Sequence, residues 1–179
     1  LVNNAGYGKF GPFSELGLEE QIAMIDLNVT SLTWLSRIAI PYMKPGASII
    51  QVASAAAFGA SPYFSVYAAT KSFVVSFADA LGFELRSHGI RVLAVCPGPV
   101  ETEFFSVAQK NQATKGEIGP KLGALAASPR DVVAKALRDL ERGRRHSIFG
   151  GVIRLYARLA PILPLGLLLR ATARKNLQK

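Results

Sequence analysis

Tyr67 and Lys71 stand four residues apart within Val66–Arg86, a segment whose apolar positions recur at helical spacing. Both side chains should therefore leave one face of one helix, a turn apart. Ser54 lies thirteen residues before Tyr67 and follows the apolar run Ser48–Ala53. That run reads as a short buried strand, which puts Ser54 at a strand's carboxyl end, where open parallel sheets place their ligands. A phenol, an amine and a hydroxyl so placed can handle the oxygen of a carbonyl or an alcohol. Reducing a carbonyl needs a proton donor at the oxygen while hydride arrives at the carbon, and Tyr67 can be that donor. A free phenol, with a pKa of about 10, is a poor acid at neutral pH; the Lys71 ammonium is expected to draw it down toward the working range. Ser54 can hold the substrate oxygen against the phenol. Tyr–Lys pairs at this spacing also arise by chance on many helices, so the surrounding motifs decide the matter.

Those motifs are Ser54, Tyr67-Ala68-Ala69-Thr70-Lys71, Cys96-Pro97-Gly98-Pro99-Val100-Glu101-Thr102 and, near the start, Asn3-Asn4-Ala5-Gly6. In order and spacing they resemble the short-chain dehydrogenase/reductase family from Leu1 to about Arg142. The resemblance implies an α/β fold, a Rossmann-like doubly wound parallel sheet. It also implies binding of NAD(H) or NADP(H) and hydride transfer between the nicotinamide and a carbonyl or secondary alcohol. The chain opens on Leu1-Val2-Asn3-Asn4, which in the family ends the fourth strand. The expectation is that this sequence lacks the first three strands and the glycine-rich loop. Residues 1–142 then form a partial catalytic core, and 143–179 supply the last strand and a carboxyl-terminal extension of the same domain.

Residue by residue, the resemblance assigns catalysis to Asn28, Ser54, Tyr67 and Lys71, with Asn28 distorting its helix and holding a water that leads protons to the lysine. Asn3, Ala5 and Gly6 would line the floor near the cofactor's ribose while the Asn side chains tie neighbouring strands. Tyr67, Lys71, Pro97, Gly98, Val100 and Thr102 would complete the cofactor contacts, the last two at the carboxamide. Ser54, Ala56, Tyr63, Phe64, Tyr67, Phe104 and Phe105 would border an apolar substrate.

The remaining elements read as scaffolding. Gly6-Tyr7-Gly8-Lys9-Phe10-Gly11 satisfies G-x-G-x-x-G, but the fingerprint needs its glycines to open a helix. Pro12, Ser14 and Gly17 instead keep the chain in a loop until about Leu18. Glu19 and Glu20 suit a helix's first turn. The apolar periodicity from Ile22 to Met43 reads as two helices with a break near Asn28, because Asn competes for backbone hydrogen bonds; a plain junction is the other reading. Trp34 and Tyr42 are assigned to the core or to a subunit contact. Ser87-His88-Gly89 reads as a helix stop, and Ser128-Pro129 as a capped helix start. His146 falls in a basic turn, and neither His has a metal-ligand partner at useful spacing, so no metal is expected. Between Glu103 and Ser128 the periodicity weakens, as in a flap over the substrate. Cys96, the single cysteine, can form no internal disulfide and fits a reducing, cytoplasmic compartment.

The net charge of +9 is unevenly spread. Leu1–Glu141 carries 12 basic and 12 acidic residues, and no acid follows Glu141. The basic tail surrounds Leu159–Leu169, too short to span a bilayer. Residues 142–179 could instead lie in a membrane interface, or cover the substrate pocket or a partner subunit. Nucleic-acid binding is disfavoured, because no stacking aromatics are interleaved with the cations. The tail also resembles a branch of the family that usually takes NADP(H), which favours NADP(H) over NAD(H). Family assembly through 28–43 and 66–86 points to a homodimer or homotetramer. The competing class is a non-catalytic binding or scaffold protein at a membrane surface; an intact Ser54, Tyr67 and Lys71 argues against it.

Overall fold

The computed structural model describes residues 1–109 and 126–176. Four parallel strands, β1 (Val2–Asn3), β2 (Ser48–Val52), β3 (Arg91–Val95) and β4 (His146–Ser147), lie side by side in that order. Ile50 stands opposite Val2 on one side and Leu93 on the other. β3 is apolar on both faces, as a covered parallel strand must be. Val92, Ala94 and Cys96 pack with Leu32, Ile49, Val74 and Ala78 on one side, while Leu93 and Val95 pack with Val132 and Ala136 on the other. Helices therefore cover both faces, the doubly wound arrangement.

Helix α1 (Leu18–Ile25) runs through a π-helical turn, Asp26–Ser31, into α2 (Leu32–Ala39). The expected break is thus a widened turn inside a continuous helix, with Asn28 at its centre. Trp34 and Tyr42 are 64% and 84% exposed, which removes the core option for both. Helix α3 (Ser65–Glu84) ends in a 3-10 turn, Leu85–His88, and a left-handed Gly89 at φ 67°. A side chain is strained at that dihedral, so glycine stops the helix as expected.

Short helix α4 (Phe104–Gln109) follows the β3 exit, and α5 (Pro129–Glu141) carries proline at its first turn. Ser128 holds the cap position, but its carbonyl, not its hydroxyl, meets the first amides, accepting from Asp131 and Val132. His146 lies on β4, not in a turn, and its Nε2 sits 3.0 Å from Asp79 Oδ2 on α3. Helices α6 (Gly151–Leu159) and α7 (Leu165–Asn176) complete the described chain. No helix among the described residues is long and apolar enough to cross a membrane. The expected flap begins as the ordered helix α4; its continuation, with Lys110, Asn111, Lys115, Gly116, Gly119, Pro120 and Gly123, lies outside the described residues.

Candidate active site

The strand ladder delivers the first hydroxyl. Ala53 N–H donates to Val95 and Ala55 N–H to Pro97, each at 2.8 Å, so the exits of β2 and β3 stay zipped and Ser54 stands beside the Pro97-Gly98 bend. Ser54 caps the 3-10 turn Ala55–Phe58, accepting from Ala56 N–H at 3.1 Å. Its side chain acts on the Tyr67 phenol, favouring the ionised form. Lys71 arrives from the same helix as Tyr67: Nζ donates to the Val52 carbonyl at 2.8 Å and lies 5.7 Å from the Tyr67 ring centroid. Ser54, Tyr67 and Lys71 therefore converge, as their spacing predicts.

The electrostatics differ from expectation. Tyr67 is buried, and burial pushes its phenol up to about 12, with Ser54 pulling the other way. Loss of solvent sets the direction, and the Lys71 nitrogen is committed to a backbone carbonyl. Burial also lowers Lys71 to about 8, with Cys96 pulling it back up. Cys96 itself is driven to about 12 by burial, which keeps it a packed thiol and not a nucleophile.

Asn28 is fully enclosed. Its amide pairs with both edges of the Tyr7 backbone, accepting from N–H at 3.1 Å and donating to C=O at 2.9 Å. It also donates to Thr70 Oγ1 at 3.1 Å, while Thr70 donates to the Tyr67 carbonyl at 2.7 Å. The π-helical turn thus aims one amide at the loop that precedes the site, a use common for such turns. Gly6 sits between these groups: a Cβ there would lie 2.8 Å from Asn28 Oδ1 and 3.2 Å from Lys71 Nζ. The G-x-G-x-x-G match indeed lies in loop, with α1 starting only at Leu18.

Asn3, in β1, donates to Gln51 Oε1 across the ladder at 2.9 Å and to Ser36 Oγ at 3.1 Å, tying neighbouring strands to α2. Ala5 is exposed nearby. A cavity of about 500 Å³ opens between Gly6 and Tyr7 on one side and Thr102, Glu103, Phe104 and Val107 on the other. Thr102 Oγ1 accepts from Phe104 N–H at 3.3 Å. Gly98 does allow a close approach, but the neighbour that fills it is Ile153 of α6, 2.7 Å from where a Cβ would stand. Val100 packs toward Leu93 and Val132.

Aromatic rings close over the phenol. Phe64 stacks on Tyr67 at 4.3 Å and on Phe10 at 3.8 Å; Phe104 leans on Tyr67 at 5.3 Å and Phe105 on Phe104 at 5.5 Å. Ala56 packs at the margin of this cluster. Phe10 N–H donates to Ala108 O at 2.9 Å, which fastens α4 over the site. Phe64 is consequently a buried wall and not an open contact surface. Tyr63 holds a left-handed φ of 62°, rare for a non-glycine residue, and its carbonyl accepts from Gly11 N–H at 2.9 Å. Sequence reasoning missed Gly8, Phe10 and Thr70. A Cβ on Gly8 would lie 2.8 Å from both the Phe64 and Tyr67 rings. Thr70 had a legible signal, since it lies inside the Tyr67–Lys71 motif; Phe10 had none.

Comparison with known proteins agrees with this fold. Residues 1–113 match the family "short chain dehydrogenase". The chain is 33% identical over 159 residues to an uncharacterized short-chain type dehydrogenase/reductase, y4vI, of Sinorhizobium fredii, covering 86% of this chain and 28% of that protein. It is 30% identical over 138 residues to the uncharacterized oxidoreductase YbbO of Escherichia coli, covering 75% and 51%. Among solved structures, a short-chain dehydrogenase from Sphingobium yanoikuyae in complex with NADPH superposes with a TM-score of 0.72 at 26% identity, covering 100% of this chain and 65% of that one. One from Burkholderia phymatum in complex with NAD gives 0.73 at 25%, covering 89% and 63%. The chain belongs to the short-chain dehydrogenase family. It spans about a quarter to a half of the length of these curated relatives.

Proposed function

We propose that this chain carries the catalytic half of an NAD(P)(H)-dependent oxidoreductase acting on an apolar carbonyl or secondary alcohol, a CH–OH donor in the oxidative direction. The observation that carries the reading is the convergence of Ser54, Tyr67 and Lys71 at the carboxyl edge of the parallel sheet. Tyr67, protonated throughout the neutral range because it is buried, delivers a proton to the carbonyl oxygen and recovers it in reverse. Ser54 orients that oxygen. Lys71, held by Val52, keeps positive charge beside the ring as proton density leaves it, and Asn28 fixes the loop that borders Lys71. A nicotinamide dinucleotide, when bound, would supply or accept the hydride.

The cavity beside Gly6 fits one face of such a group. Its wall offers backbone at Gly6 and Thr102, and Lys71 Nζ lies behind Gly6, with Asn3, Ala5, Pro97, Gly98 and Val100 around the same sheet edge. NADP(H) is favoured over NAD(H) by the basic tail; relatives are known in complex with NADPH and with NAD. Tyr63, Phe104, Phe105 and Ala56, backed by the buried Phe64, favour an apolar substrate. The exposed Trp34, Tyr42 and Phe83 support homodimer or homotetramer assembly through the α2 and α3 faces. A cytoplasmic location with peripheral membrane contact through 142–179 completes the reading. In the full-length protein, Tyr67→Phe should abolish hydride transfer and leave dinucleotide affinity, measured by calorimetry, within about twofold. Persisting turnover would show that another group supplies the proton.

A further inference from the structure

Helix α6 divides into three facets. Ile153, Tyr156, Ala157 and the following Ala160 turn inward; a Cβ on Gly59 would lie 2.8 Å from the Tyr156 hydroxyl and 2.9 Å from Leu168 of α7. Val152, Leu155 and Leu159, spaced i, i+3 and i+7, form an exposed apolar stripe that continues through Ile162 and Leu163 in the turn to Leu167 in α7. Arg154 and Arg158, a turn apart, flank that stripe, and Arg170 flanks it on α7. No acidic side chain follows Glu141, so the cations face no opposite charge from their own segment.

We propose that this α6–α7 face docks flat on an anionic membrane surface, with Val152, Leu155, Leu159, Ile162, Leu163 and Leu167 entering the headgroup–acyl boundary and Arg154, Arg158 and Arg170 meeting the acidic headgroups. The proposal takes its partner class from the peripheral contact of the reading above, but not from the Tyr67 chemistry. An apolar stripe edged by cations is the pattern of interfacial helices, and arginines near an anionic leaflet add to the burial of apolar area. The charge is what selects lipid over a protein partner: a contiguous apolar patch alone would suit either, whereas an apolar band with one sign of charge on its rim matches a headgroup layer. Neither helix is long enough to insert across a bilayer, so the contact lies in the interface plane. The face is coupled to the site, because Thr172 reaches the Ala60 carbonyl at 3.4 Å. A cavity of about 480 Å³ also lies between Leu169, the Ala57–Pro62 loop and the first turns of α3. Docking would thus hold the loop after Ser54 one helix layer from the lipid, where an apolar ketone partitions.

The test is vesicle flotation of the full-length protein with phosphatidylcholine alone and with phosphatidylcholine containing about one-third phosphatidylserine. At least tenfold more protein should float with the anionic vesicles, and molar salt should remove most of the difference. The pair Leu155→Glu and Leu167→Glu should abolish flotation with melting temperature unchanged. Arg154→Gln with Arg158→Gln should erase the preference for phosphatidylserine. Equal or absent binding to both compositions, or flotation indifferent to both pairs, would overturn the proposal. So would a soluble oligomer dissociated by Leu155→Glu, which would make a second copy the occupant. Because none of these readouts is turnover, a failure here leaves the Tyr67 assignment standing, and the reverse also holds.

Discussion

Gly8→Ala is the substitution whose effect the geometry determines most closely. Carbon atoms rest about 3.5–4.0 Å apart at their optimum, and the added methyl would meet Phe64 and Tyr67 ring carbons at 2.8 Å. The rings must yield by roughly 0.7–1.2 Å by that measure. Phe64 cannot retreat, because Phe10 stacks on its other face at 3.8 Å. Displacement therefore passes to Tyr67. Overpacking of this kind costs about 1–3 kcal/mol, a fall of about 2–12 °C in Tm for a chain of this size. A reacting group misplaced by about 1 Å loses on the order of 100-fold in rate. Differential scanning calorimetry and the loss of reduced-nicotinamide absorbance with a ketone read the two effects separately. Gly151→Ala, at a position with open space around it, serves as the control and should leave turnover unchanged without lowering Tm. A Gly8→Ala protein with wild-type Tm and wild-type turnover would refute the packing argument.

Lys71 has a folded pKa of about 8 against an ordinary 10.5, so the unfolded chain binds more protons between these values. Stability should therefore rise with pH across that window, and Lys71→Met should flatten the rise in denaturant titrations. Asp139, almost fully buried, is raised by that burial, yet hydrogen bonds from Lys135 and Ser147 and the charges of Lys135 and Arg144 hold it below the usual carboxylate range. Its contribution should be complete above the ordinary value and vanish as pH falls through the lowered one, and Asp139→Ala should cost about 3 kcal/mol at neutral pH by urea unfolding. Asn28→Ala removes both bonds to the Tyr7 backbone and leaves those part-buried groups unpaired, a loss of about 1–3 kcal/mol. Thermal unfolding would register it.

The legible parts of this molecule were those written in local pattern. The Ser48–Ala53 strand, the Val66–Arg86 helix and the Gly89 stop follow from periodicity and one special dihedral. The Tyr67–Lys71 turn and the Ser54 strand end gave the converging groups directly. Asn28 announced a distortion, though the chain resolves it by widening one turn and not by breaking the helix. What stayed hidden depends on contacts distant in sequence. Phe10, Phe64 and Phe105 come together only when the loop after β1 folds against α3 and α4, and Gly8 matters only because two rings arrive beside it. The direction of the Tyr67 shift was misjudged for the same reason: spacing revealed the ammonium but not the ring cluster that excludes water. His146 read as a turn residue because its partner, Asp79, lies sixty-seven positions earlier.

The most direct measurement is a crystal structure of the full-length protein with a nicotinamide dinucleotide and a ketone or alcohol ligand. The ligand oxygen is expected within about 3 Å of both the Tyr67 and Ser54 hydroxyls, with Lys71 behind the phenol and Phe104 lifted from the ring. A ligand oxygen bound elsewhere, with Tyr67 still sealed beneath Phe64 and Phe104, would contradict it.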